Sequence, residues 1–379
     1  MRGGRAETKG AARGRRRRGL LVGFSFLGAV GASACTTFDD PSTVLDLRIL
    51  AASVEPSEVI VDDVSTLPSL RLKPLVADHQ GDVVAPQFSI VACPNQPFGP
   101  APPADPMASG GFPAGGARGT LSSTLCPADP AAPHRWSLAT AADVQDDGSV
   151  TLNLTPDQLQ DALMSDLFRD QFGNLHGGFD LGLPINLEID VTRGDGVTVK
   201  AVKRVLFWFP QLVPAIAGET PNQTPVISAV EQATGRNDDA VLENVSPFDE
   251  NALPTVAPGG ELWVRPSLAT QEPYLTTVLD ATTGQVLPYP VATETLRYSF
   301  FATSGKFSPS ETSTDPGRGV RWNDGKPHLE AKYEAPDAAE VPVDPATGKP
   351  RLDVTVWIVV RDDRGGASWE ERHLRVGEP

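Results

Sequence analysis

The chain is poor in thiols and in base, and it lacks the short motifs that mark common enzyme sites. Three cysteines in 379 residues exclude a disulfide-dense scaffold and leave no C-x-x-C pair for redox or zinc chemistry. There is no G-x-S-x-G elbow, no P-loop and no H-E-x-x-H pair, so the nucleophile, phosphate cradle and zinc ligands those motifs supply have no local source. The five histidines, His79, His134, His176, His328 and His373, are scattered through loops and strand ends, and read as surface residues rather than metal ligands. No cofactor and no catalytic residue is expected. With 32 basic against 48 acidic residues, the chain also lacks the cationic excess that binding to phosphate backbones requires.

The start of the chain is what it does have. Arg13, Arg15, Arg16, Arg17 and Arg18 precede an apolar run over residues 20–30 and then Ala32-Ser33-Ala34-Cys35. The run is about a dozen residues, right for a signal-peptide apolar region and too short to span a bilayer. We read residues 1–34 as a removed export signal, with Cys35 becoming an acylated first residue. The pattern resembles a lipobox, with Ala32 where that motif usually has leucine. The Ala-x-Ala spacing also suits ordinary secretion, and Arg17-Arg18 resembles a loose twin-arginine signal. Cysteine parity favours lipidation: it leaves Cys93 and Cys126 to pair in an oxidising compartment, closing a loop of 34 residues and contributing about 3–4 kcal/mol. Two free buried thiols are the alternative. Without residues 1–34 the chain keeps 24 basic and 47 acidic residues, a formal net charge of −23. That suits a solvated extracytoplasmic surface and no nucleic-acid partner.

Past a polar spacer at residues 35–44, period-two alternation begins. Leu45-Asp46-Leu47-Arg48-Ile49-Leu50, Glu58-Val59-Ile60-Val61, Leu70-Arg71-Leu72-Lys73-Pro74-Leu75-Val76-Ala77 and Phe88-Ser89-Ile90-Val91 read as short strands between turns. A proline- and glycine-rich stretch over residues 94–135 has neither period and reads as an inserted loop. A helix is expected over residues 156–172, with Thr155 as N-cap, Pro156 at its first position, Gln158 completing a capping box and Leu159, Leu163 and Leu167 as its apolar stripe. Residues 185–209 read as a hairpin around Gly194-Asp195-Gly196. Prolines and glycines at 214–224 mark a linker. The expected organisation is therefore domain 1 at residues 45–213 and domain 2 at residues 225–379.

An internal repeat supports the division. Residues 70–77 align with Leu262-Trp263-Val264-Arg265-Pro266-Ser267-Leu268-Ala269, residues 87–90 with 297–300, and residues 185–196 with 354–366. Two copies of one β-module is the economical reading.

The run Lys332-Tyr333-Glu334-Ala335-Pro336, followed by Val354-Thr355-Val356-Trp357-Ile358-Val359-Val360-Arg361-Asp362-Asp363-Arg364-Gly365-Gly366, resembles the last strands of bacterial immunoglobulin-like and PKD-like domains. The mature chain, beginning Asp46-Leu47-Arg48-Ile49-Leu50-Ala51 and continuing to Glu55-Pro56-Ser57-Glu58-Val59, resembles as a whole the lipoproteins common in myxobacteria. The resemblance implies a mainly β protein with two tandem immunoglobulin-like β-sandwich domains, the first with a long Pro/Gly-rich loop and one α-helix. It also implies sorting to the outer membrane, since Thr36 rather than aspartate follows Cys35. Cys93 and Cys126 lie too close together to be the usual inter-sheet pair.

Acidic turns are the remaining chemistry. Asp238 and Asp239 with Asp249 and Glu250, Asp143 with Asp146 and Asp147, and Asp362 with Asp363 carry the oxygen ligands calcium prefers, although none has EF-hand spacing; solvated turns are the default. Trp208, Trp263 and Trp357 are expected in the core, while Trp322 and Trp369 beside turns are candidates for stacking on sugar or peptide. The expected function is a membrane-anchored, non-catalytic binding or structural module of the cell envelope, with an envelope protein or glycan as partner. The competing expectation is a hydrolase-like enzyme, or its accessory subunit, with acidic residues in an interdomain cleft.

Overall fold

Alternating side chains give strands with one buried face, and the burial of residues 70–77 shows the principle. Leu70 and Leu72 are fully buried and Arg71 between them is exposed, because successive side chains point to opposite sides of a sheet. The computed structural model describes residues 40–79, 87–94, 125–140, 143–164, 182–211, 220–237, 241–249, 253–279, 286–315 and 327–378. Residues 1–39, most of the inserted loop, residues 165–172 of the expected helix and most of the expected linker lie outside them. The described residues are mainly β, with several sheets and one α-helix.

The amino-terminal half contains β1 (Arg48–Glu55), β2 (Glu58–Ile60), β3 (Leu70–Ala77), β4 (Gln87–Pro94), β5 (Trp136–Thr140), β6 (Val150–Leu152), α1 (Pro156–Met164), β7 (Leu183–Thr192) and β8 (Thr198–Trp208). Antiparallel β1-β3-β6 faces β2-β8-β7-β4-β5, in which the short β2 runs parallel to β8. Val54, Leu72 and Leu152 from one sheet meet Ile90, Leu187, Ile189 and Phe207 from the other. Helix α1 starts as its sequence requires: the Thr155 N–H donates to Gln158 Oε1 at 2.8 Å and the Gln158 N–H to Thr155 Oγ1 at 3.2 Å, a reciprocal capping box. Its Leu159 is fully buried in the same core.

The carboxy-terminal half contains β9 (Val230–Ala233), β10 (Gly235–Arg236), β11 (Leu242–Glu243), β12 (Ser246–Pro247), β13 (Thr255–Val256), β14 (Glu261–Pro266), β15 (Pro273–Leu279), β16 (Val286–Thr293), β17 (Arg297–Ala302), β18 (Lys306–Ser308), β19 (Glu311–Ser313), β20 (Ala331–Glu334), β21 (Arg351–Arg361) and β22 (Ala367–Gly377). Sheet β12-β9-β14-β20-β18 faces sheet β13-β22-β21-β17-β19, and β10-β11 and β15-β16 are separate hairpins. Tyr298, Phe300, Phe307 and Tyr333 fill the space between the larger sheets, with the Phe307 ring centroid 5.4 Å from those of both Phe300 and Tyr333.

The two halves repeat one topology in one register. Leu70 and Leu72 pair with Leu152 and Val150; their counterparts Leu262 and Val264 pair with Tyr333 and Ala331. Gln87 opposes Thr192 as Arg297 opposes Arg361. β13 runs parallel to β22 as β2 does to β8. Both last hairpins turn through five residues, 193–197 and 362–366, with Gly196 at φ +92° and Gly365 at φ +103°. That left-handed backbone is open to glycine at no steric cost, so the aligned glycines mark the same turn.

Three expectations need correction. The first strand starts at Arg48 rather than Leu45, because Leu45 points to solvent while Leu47 turns inward. The end of the expected spacer is not free: Ser42 and Val44 are fully buried, and Thr43 pairs in parallel with Ala302 of β17. Trp263 is only half-buried, on the outer face of β14 under the Arg236 guanidinium at 5.1 Å, because Leu262 and Val264 take the inward positions.

Removing a fully buried leucine leaves a cavity that a close-packed sandwich cannot collapse. Leu72→Ala should therefore cost about 2–5 kcal/mol in urea denaturation, with Arg71→Ala near neutral as its exposed neighbour.

Candidate functional site

The two halves meet along an apolar strip and at a buried ion cluster. The strip joins Val44, Leu50, Ala51, Leu75 and Ala77 of the first half to Trp357 and Val359 of the second, so outward faces of β1 and β3 cover the outward face of β21. Trp369 is half-buried at its edge, with Lys73 Nζ 5.9 Å from its ring centre. Trp357 is thus buried at the junction rather than within its own half.

The ion cluster is built from the turn between β21 and β22. Asp362 Oδ1 accepts the N–H groups of Arg364 at 2.9 Å and Gly366 at 2.7 Å, which closes the turn and projects Arg364 toward the first half. Arg364 is 8 % exposed. Its guanidinium pairs with Glu58 of β2, approaches Glu294 at 3.4 Å and Glu272 at 3.5 Å, and donates to the Thr220 carbonyl at 3.2 Å. It also lies 5.4 Å from the centre of the Tyr274 ring, whose hydroxyl donates to Asp363 at 3.0 Å. Asn222 is buried alongside, donating through Nδ2 to Asp362 at 3.0 Å and Ser57 at 3.2 Å, while its N–H donates to Glu58 at 3.2 Å. Lys203 of β8 donates to the Gly365 carbonyl.

Glu58, Glu272 and Glu294 therefore gather at Arg364, while Lys203 has Asp362 beside it together with Arg361 and Arg204. Burial disfavours charge at this junction. Burial pushes the Glu294 carboxyl up to about 7, aided by the Asp362 charge and opposed by the Glu272 N–H and Arg364. Burial also raises Asp362, against its hydrogen bond from Asn222. It lowers the Lys203 ammonium to about 8 despite Asp362 nearby. At Arg364 burial opposes the charge, and Glu58, Glu294 and Glu272 outweigh it, holding the guanidinium above its usual range.

A second feature is a groove of about 600 Å³ at the opposite end of the carboxy-terminal half, lined in part by Asp40, Glu261, Lys306, Glu334 and Asp337. Ala302 accepts from and donates to the chain entering beside it: the Val44 N–H gives to its carbonyl and its own N–H to the Ser42 carbonyl, both at 2.8 Å. Phe307 N–H donates to Ser42 Oγ at 2.8 Å and Thr43 Oγ1 to the Gly305 carbonyl at 2.6 Å.

Of the residues singled out in the sequence, Cys35, Asp238, Asp239 and Glu250 lie outside the described residues, as do His176 and Trp322. Cys93 and Cys126 are joined as a disulfide with Cα atoms 5.7 Å apart, and the Cys126 N–H donates to Glu188 at 2.9 Å. Asp249 is exposed after β12. Asp143 accepts the Thr140 N–H at 2.8 Å, and Asp147 takes the Ser149 hydroxyl at 2.6 Å and pairs with Arg71. Among the described residues no three His, Cys, Asp or Glu side chains gather to hold a metal ion, and no helix is long and apolar enough to cross a membrane. His79, His134 and His328 each face a carboxylate, of Asp78, Asp161 and Glu330. Sequence reasoning missed Arg364; an arginine inside an Asp/Gly hairpin turn of the second repeat is the signal that pointed to it.

No known protein family matches the chain, and no curated protein matches it. Solved structures of low similarity include a Ca2+-stabilized adhesin with which an Antarctic bacterium binds ice, at 7% identity, 89% of this chain, 49% of that chain and a TM-score of 0.20. A bacterial ice-binding adhesin gives 10%, 89%, 65% and 0.21, and a Salmonella alpha-2-macroglobulin variant 10%, 89%, 17% and 0.19. This chain spans about half the length of the first. Likeness at this level carries no argument about fold or function.

Glu294 favours its protonated form in the folded chain, so its contribution is present below the ordinary carboxylate range and lost as pH rises through about 7. Lys203 favours its neutral form, so its contribution is present above the ordinary lysine range and lost as pH falls through about 8. Thermal midpoints should thus fall between about pH 4.5 and 7 through Glu294 and rise between about pH 8 and 10.5 through Lys203. Glu294→Gln should flatten the first limb and Lys203→Met the second. Arg364→Ala should cost about 3–5 kcal/mol by stranding its carboxylates, and Arg364→Met combined with Glu58→Leu should recover most of that.

Proposed function

We propose that the chain is a membrane-anchored extracytoplasmic lipoprotein whose two immunoglobulin-like modules form a non-catalytic binding or structural unit of the cell envelope. The observation that carries this reading is the repeated topology locked by a buried ion cluster. Each half sets strands equivalent to A, B and E of an immunoglobulin sandwich (β1, β3, β6 and β9, β14, β20) against equivalents of C, F and G (β4, β7, β8 and β17, β21, β22). The division into modules at residues 45–213 and 225–379 belongs to the same proposal, supported by a separate apolar core in each half.

A fixed junction suits presentation: loops borne on two rigidly joined sandwiches keep their spacing when a partner engages them. The acidic residues that an enzyme in the junction would use are committed to Arg364, Asn222 and backbone N–H groups, which supports binding over hydrolysis. The disulfide at the base of the inserted loop supports an oxidising compartment, and Cys35 is then the free cysteine left for acylation. An envelope protein or glycan remains the expected partner, at the outer membrane.

Metabolic labelling with a clickable fatty acid should mark the wild-type chain and not Cys35→Ala; equal labelling of both would remove the anchor. Pull-down from envelope extract should recover a partner with the wild type and less of it with Arg364→Ala at a temperature where that variant stays folded. Turnover of glycan or peptide substrates by purified protein, abolished by Glu294→Gln, would establish the enzyme reading instead.

A further inference from the structure

The chain does not leave the fold from the half in which its sequence begins. Asp40 lines the groove on the carboxy-terminal half, and Ser42–Val44 is held there by Ala302, Gly305 and Phe307. From that point the chain runs along the second half: Thr43 beside Ala302, Leu50 with its carbonyl on Arg361, Glu58 on Arg364. The first half is therefore carried away from the groove, and β1 alone rises about 25 Å.

We propose that the rim of the carboxy-terminal half around Gly259, residues 304–306 and residues 336–340 is the surface turned to the membrane, so that the second half stands nearest the lipid. This rests on acylation of Cys35. Asp40 is the fifth residue after Cys35, and a fully extended chain over those five steps reaches about 18 Å at most. A lipid anchor at residue 35 therefore keeps the rim within that distance of the headgroups. The one-turn helix at Val64–Thr66 lies beyond the other end of the β1–β3 ladder, where Glu55 pairs with Arg71, whereas Arg48 pairs with Ala77 at the near end.

Charge does not create this orientation. Asp40, Glu261, Glu334, Asp337 and Glu340 line the groove with Lys306 as its basic residue, and such a surface is repelled by anionic headgroups. The tether sets the distance and the docked Ser42–Val44 segment sets which face is held there. A sequence-order reading gives the opposite arrangement, with the first module next to the membrane.

The test places a fluorescent amino acid at Lys306 or at Ser65, both exposed, in the full protein recovered from membranes and reconstituted in phosphatidylcholine vesicles containing a headgroup quencher. Quenching should be several-fold stronger at position 306 than at 65. Equal quenching, or stronger quenching at 65, overturns the proposal. A second arm couples the Cys35 thiol to maleimide lipid, so that orientation is read even if the cell does not acylate that residue. Failure of fatty-acid labelling with the same several-fold difference in this arm would reject the natural anchor and retain the orientation that the docked segment imposes. Loss of the difference in both arms would reject the orientation itself. Adding anionic lipid should not strengthen quenching at 306, because the rim is held by its tether; strengthened quenching would overturn that account.

Discussion

A guanidinium buried among carboxylates from both halves of the chain fixes how those halves are joined. Arg364 reaches out of one sandwich and is held by Glu58 of the other, by Glu272 and Glu294 of its own, and by the Thr220 carbonyl between them. An isolated charge in such a place is prohibitively costly, so the arrangement exists only when all its partners are assembled. The apolar strip of Leu50, Leu75, Trp357 and Val359 contributes area; the ions contribute geometry, because a planar guanidinium accepts few orientations. Burial ties the junction to protonation, through Glu294 on the acid side and Lys203 on the basic side.

The repeat gives the junction its asymmetry. The hairpin turns at residues 193–197 and 362–366 occupy the same place in the two halves, yet their charges are reversed. In the first, Arg193 forks onto Asp195 at 2.7–3.0 Å and reaches Asp78 at 2.5 Å. In the second, aspartate stands at 362 and arginine at 364, where it is aimed across the junction. Duplicated backbone geometry with exchanged side chains converts a self-satisfied turn into a connector. Residues 40–44 add a second connector, since the segment before the first sandwich is stitched to β17 and β18 of the other half.

Much of this was legible. Alternation over residues 70–77 and 185–191 marks strands because a half-buried sheet allows only one face of each to be polar. Thr155-Pro156-Asp157-Gln158 marks a helix start because those side chains satisfy the orphan N–H groups of the first turn. The aligned segments at 70 and 262, 87 and 297, and 185 and 354 matched pair for pair, since register propagates through a ladder once two positions are fixed. Trp263 misled because its neighbours are apolar too, and alternation alone does not say which set turns inward. Asp362 and Asp363 read as a solvated turn because nothing local reveals that a lysine 159 positions earlier in the chain faces the same turn.

By itself the sequence determined most strand positions, the repeated segments and the helix cap, all of which depend on neighbours close in the chain, and cysteine parity favoured the pairing of Cys93 with Cys126. Only the tertiary structure decided that Ser42–Val44 is docked rather than free, that Trp357 is buried between halves, and that Glu58, Glu272, Glu294 and Arg364 converge. Those facts join residues up to about three hundred positions apart, and no local preference encodes them: they follow from how two finished sandwiches cover the apolar faces each would otherwise leave in water.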